Sequence, residues 1–208
     1  PSYYHTAAKK ADDTLRTRGL NTYGQLGDGP TQNRTSPVQI GTAAWQAVSV
    51  GFGHSIAIKS DGTLWAWGMN MYSQYGDGTT SSSYTPVQVG ADTWVAVAAG
   101  YYHTAAIRSD GTLWTWGMNT NGQTGDGSTT SPRTTHFQIP GTWLAVAANL
   151  WDTVAIRSDG TLWAWGANSY GQLGGGTPTT PITSPVQEIT NSTAWQSVSA
   201  GYQHTVAI

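Results

Sequence analysis

The sequence predicts an all-β protein built from four-stranded units that recur about every 49 residues. The segment 60–68, SDGTLWAWG, returns almost unchanged at 109–117 and at 158–166. Its last residues alternate large and small side chains with period two, as a strand does, and no stretch shows the 3.6-residue apolar period of a helix. A repeat of this length, rich in strand formers and Gly turns, is typical of one propeller blade or one solenoid unit.

The register of the repeat can be followed through the whole chain. One strand start is marked by a His or Asp at spacings of 49, 49, 49 and 52 residues: His5, His54, His103, Asp152 and His204. A Trp opens a short apolar stretch before each of the last four: Trp45, Trp94, Trp143 and Trp195. We therefore treat the 208 residues as a single domain with repeats at about 1–40, 41–89, 90–139 and 140–189 and a partial repeat at 190–208.

Each strand and turn of the repeat can be predicted from its local sequence. Asp61-Gly62 lies between two strand-like runs and predicts a hairpin, because these residues tolerate the positive φ angles of a tight turn. A Gly-rich loop such as 23–29 follows the Trp-rich strand, and the segment 37–40, PVQI, supplies the fourth strand. In the hairpin, Trp65 and Trp67 share one strand face, which would bury roughly 150–250 Å² per ring between neighbouring sheets.

Composition limits the classes of function. Charged residues form only 10% of the chain and the net charge is −2, which gives no electrostatic footprint for nucleic acid. The chain has no Cys, hence no disulfide or thiolate nucleophile, and no apolar run of the roughly 18 residues that membrane insertion needs. It opens at Pro1 inside a repeat, so we expect a processed or excised piece of a longer protein.

Four linked motifs resemble the regulator of chromosome condensation repeat. They are Gly-x-x-His-Thr, Ser-Asp-Gly-Thr-Leu-Trp-x-Trp-Gly, Asn-x-x-Gly-Gln-Leu-Gly-Asp-Gly and Pro-Val-Gln. Together they cover essentially all of the chain, and their sequences are most similar to those of bacterial members. The resemblance implies a β-propeller, usually of seven blades. It does not imply one function, since members include a nucleotide-exchange factor, a secreted inhibitor of β-lactamases and a photoreceptor.

The residues that could carry chemistry are better explained as framework. His54, His103 and His204 could be bases or metal ligands, but their repetition favours a hydrogen-bonding role in which each His-Thr pair fastens its own blade. Asp28, Asp77 and Asp126 supply one carboxylate per repeat, far fewer than the six to eight oxygens of a calcium site, and suit turns instead. We therefore predict no enzyme, no catalytic residue, no metal and no cofactor.

The pair of residues before each His is the clearest position that varies between repeats. It is mostly aromatic and follows a strand end, so it should surround one rim of the propeller, where aromatic side chains would contact a protein partner. The alternative is that the rings fill the propeller's centre or cap a strand. The predicted partner-binding residues are Phe52, Tyr101, Tyr102, Leu150, Trp151, Tyr202 and Gln203, and Tyr3-Tyr4 is the first copy of the pair. A second variable position is expected on a loop: Tyr23, Tyr72, Asn121 and Tyr170.

The first repeat departs from the others in charge. Arg16 and Arg18 stand where Trp65 and Trp67 stand in the second repeat. Unpaired charges are costly in a dry interface, so this face should look outward at the end of an open arc. The His-Thr strand occurs five times and the hairpin strand four times, which predicts an incomplete set of about four blades from a larger propeller, with self-association through its open ends as an option.

Two hypotheses of function follow. The first is a non-enzymatic protein-binding propeller module that serves as the recognition or inhibitory part of a bacterial surface or secreted protein. The second is a guanine-nucleotide exchange factor-like regulator of a small GTPase. The second would carry an inserted wedge and a basic tail, whereas the repeats here keep lengths of 49 to 52 residues.

Overall fold

The computed structural model describes residues 4–176 and 180–208, and all the regular elements within these ranges are β-strands. Within these ranges no helix is long and apolar enough to cross a membrane. The sixteen strands are β1 (His5–Lys9), β2 (Leu15–Gly19), β3 (Arg34–Gln39), β4 (Trp45–Val50), β5 (His54–Lys59), β6 (Thr63–Gly68), β7 (Ser83–Ala99), β8 (His103–Arg108), β9 (Leu113–Gly117), β10 (Arg133–Ile139), β11 (Trp143–Ala148), β12 (Asp152–Arg157), β13 (Leu162–Gly166), β14 (Ile182–Gln187), β15 (Val198–Ala200) and β16 (Thr205–Ala207).

The strands form five antiparallel units in chain order. Unit 1 is β1–β3, unit 2 is β4–β6 with the first half of β7, unit 3 is the second half of β7 with β8–β10, unit 4 is β11–β14, and unit 5 is β15–β16. The innermost strands contact one another in sequence, β4 with β7, β7 with β11, and β11 with β15, and β1, the counterpart of β5 in unit 1, contacts β4. The units therefore follow one another around a common centre.

The predicted hairpins are present in units 1 to 4. Gly62 adopts a φ of 85°, the left-handed conformation that the turn requires, and the Asp61 carboxylate accepts hydrogen bonds from the Thr63 backbone N–H and hydroxyl. In unit 1 the same turn position is Asp13, which takes a φ of 61°. Asp is among the few residues with a side chain that tolerate this region, so the hairpin survives there without Gly.

The joint between the second and third repeats lies within one long strand that contains a bulge. β7 is one strand of 17 residues that pairs with β6 through its first half and with β8 through its second half. Between the two halves, residues 89–92 form a bulge opposite Leu64, with Gly90 at a φ of 64°, and the ladder with β6 resumes where Thr93 pairs with Thr63. Units 2 and 3 thus form one seven-stranded sheet in which each unit still has the expected four strands, because β7 supplies one to each.

Buried Trp rings join neighbouring units. Trp67 of unit 2 is fully buried, its ring centroid lies 5.9 Å from that of Trp45, and its Nε1–H donates to the Gln25 carbonyl of unit 1 at 2.9 Å. Trp116 and Trp165 repeat this geometry. Trp65 shares the face of Trp67 as expected but is only half-buried, and Lys59 Nζ lies 3.3 Å from its ring centroid, a cation–π contact at the outer rim.

The histidines fasten neighbouring units to each other, so the expectation that each fastens its own blade was wrong. His103 Nε2 lies 2.9 Å from the Thr153 hydroxyl of the next unit, and His54 Nε2 lies 3.3 Å from that of Thr104. The Thr153 hydroxyl itself donates to the Gln123 carbonyl at 2.9 Å. Each hydroxyl proton is thus committed to a carbonyl, and the neutral imidazole donates its Nε2–H to the hydroxyl oxygen.

The Gly-rich loops are organised by a buried Asn that the sequence alone did not single out. Asn119 Oδ1 accepts from the Thr124 backbone N–H at 3.0 Å, and its Nδ2 donates to the Asp126 carboxylate at 3.0 Å. Arg133 also donates to Asp126. The carboxylate is therefore used within its own loop, which agrees with a turn role for Asp28, Asp77 and Asp126. Within residues 4–176 and 180–208, no group of three or more His, Cys, Asp or Glu could hold a metal ion.

The two ends of the arc differ in chemistry. On unit 1, Arg18 is exposed and Arg16 is half-buried, with a guanidinium N–H donating to Gln39 Oε1 at 3.1 Å within its own unit. The sequence predicted that neither residue would be buried between two units, and neither is. On unit 5, by contrast, the outward side chains of Val206 and Ile208 are apolar and exposed.

Candidate protein-binding surface

Tight turns set the position of the variable pairs. After each innermost strand the chain turns over its own His ring, and a Cβ at Gly100 would lie 2.1 Å from His103 Cε1. Only Gly fits so close an approach. In unit 4, Asn149 replaces this Gly and Asp152 replaces the His. The smaller Asp side chain leaves the space that Asn149 needs, so the two departures explain each other.

The turns bring the aromatic side chains of separate units into one continuous cluster. The ring centroids of Phe52 and Tyr101 lie 4.4 Å apart, and those of Tyr101 and Trp151 lie 5.1 Å apart. Tyr4 packs edge-on against Phe52 at 5.5 Å, and Tyr102 lies 4.5 Å from Tyr101. Rings at these separations attract one another and hold a defined arrangement. The first copy of the pair includes Tyr3, which lies outside the described residues.

The second variable position adjoins the first. The ring of Tyr72, on the loop of unit 2, lies 4.7 Å from the ring of Tyr102 in unit 3. In the same way, Tyr23 of unit 1 approaches Gly53 of unit 2, where a Cβ would lie 3.1 Å from the Tyr23 ring. The two positions predicted separately from the sequence therefore form one surface. We call it the aromatic face and define it as Tyr4, Tyr72, Phe52, Tyr101, Tyr102, Trp151 and Tyr202.

The aromatic face surrounds a cavity of about 340 Å³ at the centre of the arc. Phe52, Tyr101, Leu150 and Tyr202 line it, one residue from each of four consecutive units. Leu150 is 7% exposed and turns its side chain into this cavity, whereas Tyr202 is 55% exposed. Of the predicted partner-binding residues, Phe52, Tyr101, Tyr102 and Trp151 are half-buried and Gln203 is exposed. The two expectations, a rim of aromatic rings and rings at the propeller's centre, therefore apply to the same residues, because rings of the aromatic face also line the central cavity.

The aromatic face is made entirely of uncharged side chains. Burial raises the pKa of the Tyr102 hydroxyl to about 12, so this group stays protonated at neutral pH. Phenol and indole groups of this kind offer apolar area together with hydrogen-bond donors. Beneath the face, burial lowers the pKa of His54 and of His103 to about 3, and both imidazoles are neutral. Neither His reaches the surface, so neither can contact a partner directly.

Asp152 is the ionisable group in the unit 4 turn, and it yields a pH prediction. Burial raises the pKa of its carboxyl to about 7. The folded chain therefore holds the proton more tightly than the unfolded chain, and this stabilisation is complete below pH 4 and is lost as pH rises through 7. We expect Asp152→Asn to be more stable than the parent at pH 8 by about 2–4 kcal/mol, with little difference near pH 4. Urea unfolding at both pH values measures this.

Asp159→Asn is the matched control for that measurement. Asp159 is an exposed hairpin Asp that accepts from Thr161 and lies seven residues along the same hairpin. We expect its substitution to remove a turn hydrogen bond without the gain at pH 8. A stability difference for Asp152→Asn that does not change between pH 4 and pH 8 would contradict the burial of a protonated carboxyl.

Comparison with known proteins identifies the repeat. The family model described as the regulator of chromosome condensation (RCC1) repeat matches residues 14–58, 61–107 and 159–208. A second model of the same repeat matches residues 45–74, 94–123 and 144–172. The comparison with curated protein sequences finds no match for the chain.

Solved structures show the same architecture at low sequence identity. Human WBSCR16 matches with a TM-score of 0.90 and 21% identity over 100% of this chain and 56% of that chain. Prp20p from Saccharomyces cerevisiae, whose structure was described with its binding properties to Gsp1p and histones, gives 0.86 and 18% over 100% and 54%. The chain thus spans about half the length of these relatives, and its fold is part of a larger β-propeller. On the family matches, which cover most of its length, the chain belongs to the regulator of chromosome condensation (RCC1) repeat family.

Proposed function

We propose that this chain is a non-enzymatic protein-binding module and that the aromatic face is its contact surface. The observation that carries the proposal is the unbroken ring-to-ring contact from Tyr4 through Phe52 and Tyr101 to Trp151, on one side of the arc. Four units contribute to it, so it is a product of the whole arrangement of repeats rather than of one loop.

The energetics of the aromatic face suit a protein partner. Trp and Tyr dominate the residues whose loss weakens protein interfaces most, and they act best when neighbouring contacts exclude water. Here the rings already pack on one another, so little side-chain freedom is lost on binding. The central cavity of about 340 Å³ would accept an apolar side chain that projects from the partner. The tyrosine hydroxyls around it would supply hydrogen bonds at the rim.

The likeness of fold supports protein binding in general terms. Yeast RCC1 (Prp20) has been solved bound to Kap60, with a TM-score of 0.85 and 19% identity over 99% of this chain and 52% of that chain. A narrower proposal is that the chain is a recognition or inhibitory part of a bacterial surface or secreted protein. It is supported only by the similarity of the repeat sequences to those of bacterial members. The alternative, an exchange factor-like regulator of a small GTPase, has the Gsp1p-binding relative in its favour.

The proposal is tested by the partner's dependence on the aromatic face. The partner is first captured from the source organism on the immobilised chain and then purified, so that its affinity can be measured by titration calorimetry. We expect Tyr102→Ala together with Trp151→Ala to weaken binding at least 100-fold, because two interface aromatics typically contribute about 2 kcal/mol or more each. Thermal unfolding should show only a modest loss, since both rings are half-exposed.

Leu144→Ala is the matched control for this test. Leu144 is 63% exposed and lies at the opposite end of β11 from Trp151. We expect binding to be unchanged when it is replaced. Equal affinity for the double variant and the parent chain would rule out the aromatic face as the contact surface. Acceleration of nucleotide release from a small GTPase, with the aromatic variants unaffected, would favour the alternative.

A further inference from the structure

The aromatic face has no counter-charge to offer a partner. The turns and loops that form or border it in units 1 to 4 contain no Lys, Arg, Asp or Glu: 21–24, 51–53, 70–73, 100–102, 119–122, 149–151 and 168–171. Lys59 and Arg108 stand at the far ends of β5 and β8, roughly 16–20 Å along the strand from these turns, and lie over the outer rings of Trp65 and Trp114. Asp152, next to the unit 4 turn, is buried. A charged group of a partner would lose its water here without compensation, so the aromatic face suits an uncharged ligand.

The aromatic face presents hydrogen-bond donors that are not used within the fold. In the interior, the Trp67 indole N–H donates to the Gln25 carbonyl at 2.9 Å. On the aromatic face, by contrast, neither the Trp151 indole N–H nor the Tyr72 hydroxyl makes a hydrogen bond with residues 4–176 or 180–208. Both side chains are half-buried, so a partner that covered them would have to supply acceptors in place of water. The ligand is therefore uncharged and rich in acceptors.

The spacing of the rings indicates the shape of that ligand. Phe52, Tyr101 and Trp151 follow one another across units 2, 3 and 4, with the Tyr101 centroid 4.4 Å from the first ring and 5.1 Å from the third. Tyr102 and Tyr72 flank this row, with their centroids 4.7 Å apart. A polyproline II helix has three residues per turn and advances about 9 Å per turn. The two ring distances together are close to that advance, so apolar residues three apart on such a helix would contact both ends of the row.

We propose that the aromatic face binds a proline-rich segment of its protein partner in the polyproline II conformation, an inference that rests on the proposed function and names the partner's chemistry. Proline has an apolar ring, no charge and no backbone N–H, while its carbonyl remains an acceptor. The ligand's rings would pack on Phe52, Tyr101 and Trp151, and its carbonyls would accept from the Trp151 indole and the Tyr72 hydroxyl. Aromatic-lined surfaces recognise such segments because the ligand helix is already formed and loses little freedom on binding.

A neutral glycan is the other uncharged ligand that could lie against Tyr and Trp rings. Its hydroxyl groups donate as well as accept, and the strongest acceptors for them in a protein are carboxylates. The segments of units 1 to 4 that form or border the aromatic face hold no Asp or Glu. The donors of Trp151 and Tyr72 match a ligand that only accepts, as a run of proline carbonyls does.

The experiment compares two uncharged peptides. A fluorescein-labelled peptide of ten prolines is titrated with the full chain, and its anisotropy is compared with that of an alternating Gly-Ser peptide of the same length, which has carbonyls but no apolar rings. We expect the proline peptide to bind at least tenfold more tightly. Its Kd should change less than twofold between about 0.05 M and about 0.5 M NaCl, because no charge pair is formed. Equal affinity for the two peptides, or binding that salt weakens tenfold, would overturn the proposal.

Two conservative variants test the donors separately from the rings. Trp151→Phe keeps an aromatic ring and removes the N–H, and Tyr72→Phe removes only the hydroxyl. We expect each to weaken the proline peptide about fivefold, the effect of one neutral hydrogen bond. Trp114→Phe is the matched control, because Trp114 lies on the outer rim and its N–H donates to the Thr112 hydroxyl. It should leave the affinity unchanged, with folding of all three variants checked by circular dichroism. Undiminished affinity in both Trp151→Phe and Tyr72→Phe would contradict the proposed contacts.

The outcome is distinguishable from that of the proposed function. If the captured partner depends on Tyr102 and Trp151 but the proline peptide does not bind, the proline-rich assignment is wrong and the contact surface stands. If neither the partner nor the peptide depends on these rings, both proposals are wrong. Binding of cellohexaose, a neutral glycan, without binding of the proline peptide would overturn the proposal in favour of a glycan.

Discussion

Replacing Trp116 with Ala is expected to lower the free energy of unfolding by about 3–5 kcal/mol. The Trp116 side chain is fully buried, its ring lies 5.8 Å from that of Trp94, and its Nε1–H donates to the Gln74 carbonyl at 2.7 Å. The substitution would leave a cavity between units 2 and 3 and remove the hydrogen bond that joins them. Guanidinium unfolding followed by far-ultraviolet circular dichroism measures the loss.

Trp114→Ala is the matched control, because it lies two residues away on the same strand and the same face. Trp114 is half-buried, donates within its own unit to the Thr112 hydroxyl, and stacks under the Arg108 guanidinium 4.0 Å from the ring centroid. We expect its loss to lower stability by about 1–2 kcal/mol, since partly exposed area contributes less. Equal losses for the two variants would show that the interior ring does not join the units.

Acidification from pH 7 to pH 4 is expected to destabilise the chain steeply. Burial lowers the pKa of both His54 and His103 to about 3, against an ordinary value of 6.5. The unfolded chain therefore binds protons at these two His that the folded chain excludes, so their contribution to stability is complete above pH 6.5 and falls as pH drops toward 3; together it outweighs the opposite contribution of Asp152. Each His should contribute a slope of about 1.4 kcal/mol per pH unit across that window.

A pair of His variants assigns this slope. His103→Gln should lower stability at pH 7, because the bond to Thr153 is disturbed, yet it should flatten the slope below pH 6.5 by the share of one His. His204→Gln is the control, since His204 holds the same repeat position but is exposed on unit 5. We expect its pH profile to follow that of the parent chain. A slope unchanged by His103→Gln would contradict the neutral buried imidazole.

Most of the fold follows from local sequence, and the exceptions are contacts between distant segments. The hairpin at Asp61-Gly62 and the period-two alternation of Trp65 and Trp67 are encoded within a few residues, so both could be predicted. The pairing that bridges the joint within β7 could not, because Thr93 pairs with Thr63 thirty residues earlier. The direction of the His bonds likewise requires knowing which unit lies opposite.

The candidate surface could likewise be predicted from the sequence only in part. The aromatic character of the pair before each His is visible in the sequence, and its place at a strand end follows from the neighbouring Gly. The contact of Tyr72 with Tyr102 is not visible, because the two rings come from different repeats and meet only once the units are stacked. The joint departure of Asn149 and Asp152 was a readable signal, since both occur in one repeat and fill one space.

The way in which successive units are joined has a consequence for how this array could be remodelled. In a modular repeat protein, whole repeats can be inserted or deleted at linkers where few contacts cross. The joints at 40–44 and 140–142 are of that kind, because each lies outside a strand. The joint at 90–92 is of the same kind, because residues 89–92 form a bulge in the ladder between β6 and β7. At each joint the Trp that opens the next unit donates its backbone N–H to a carbonyl in the hairpin turn of the unit before it: Trp45 to Asp13, Trp94 to Gly62 and Trp143 to Gly111. Recombination or design by repeat exchange would have to restore this one hydrogen bond at every new joint.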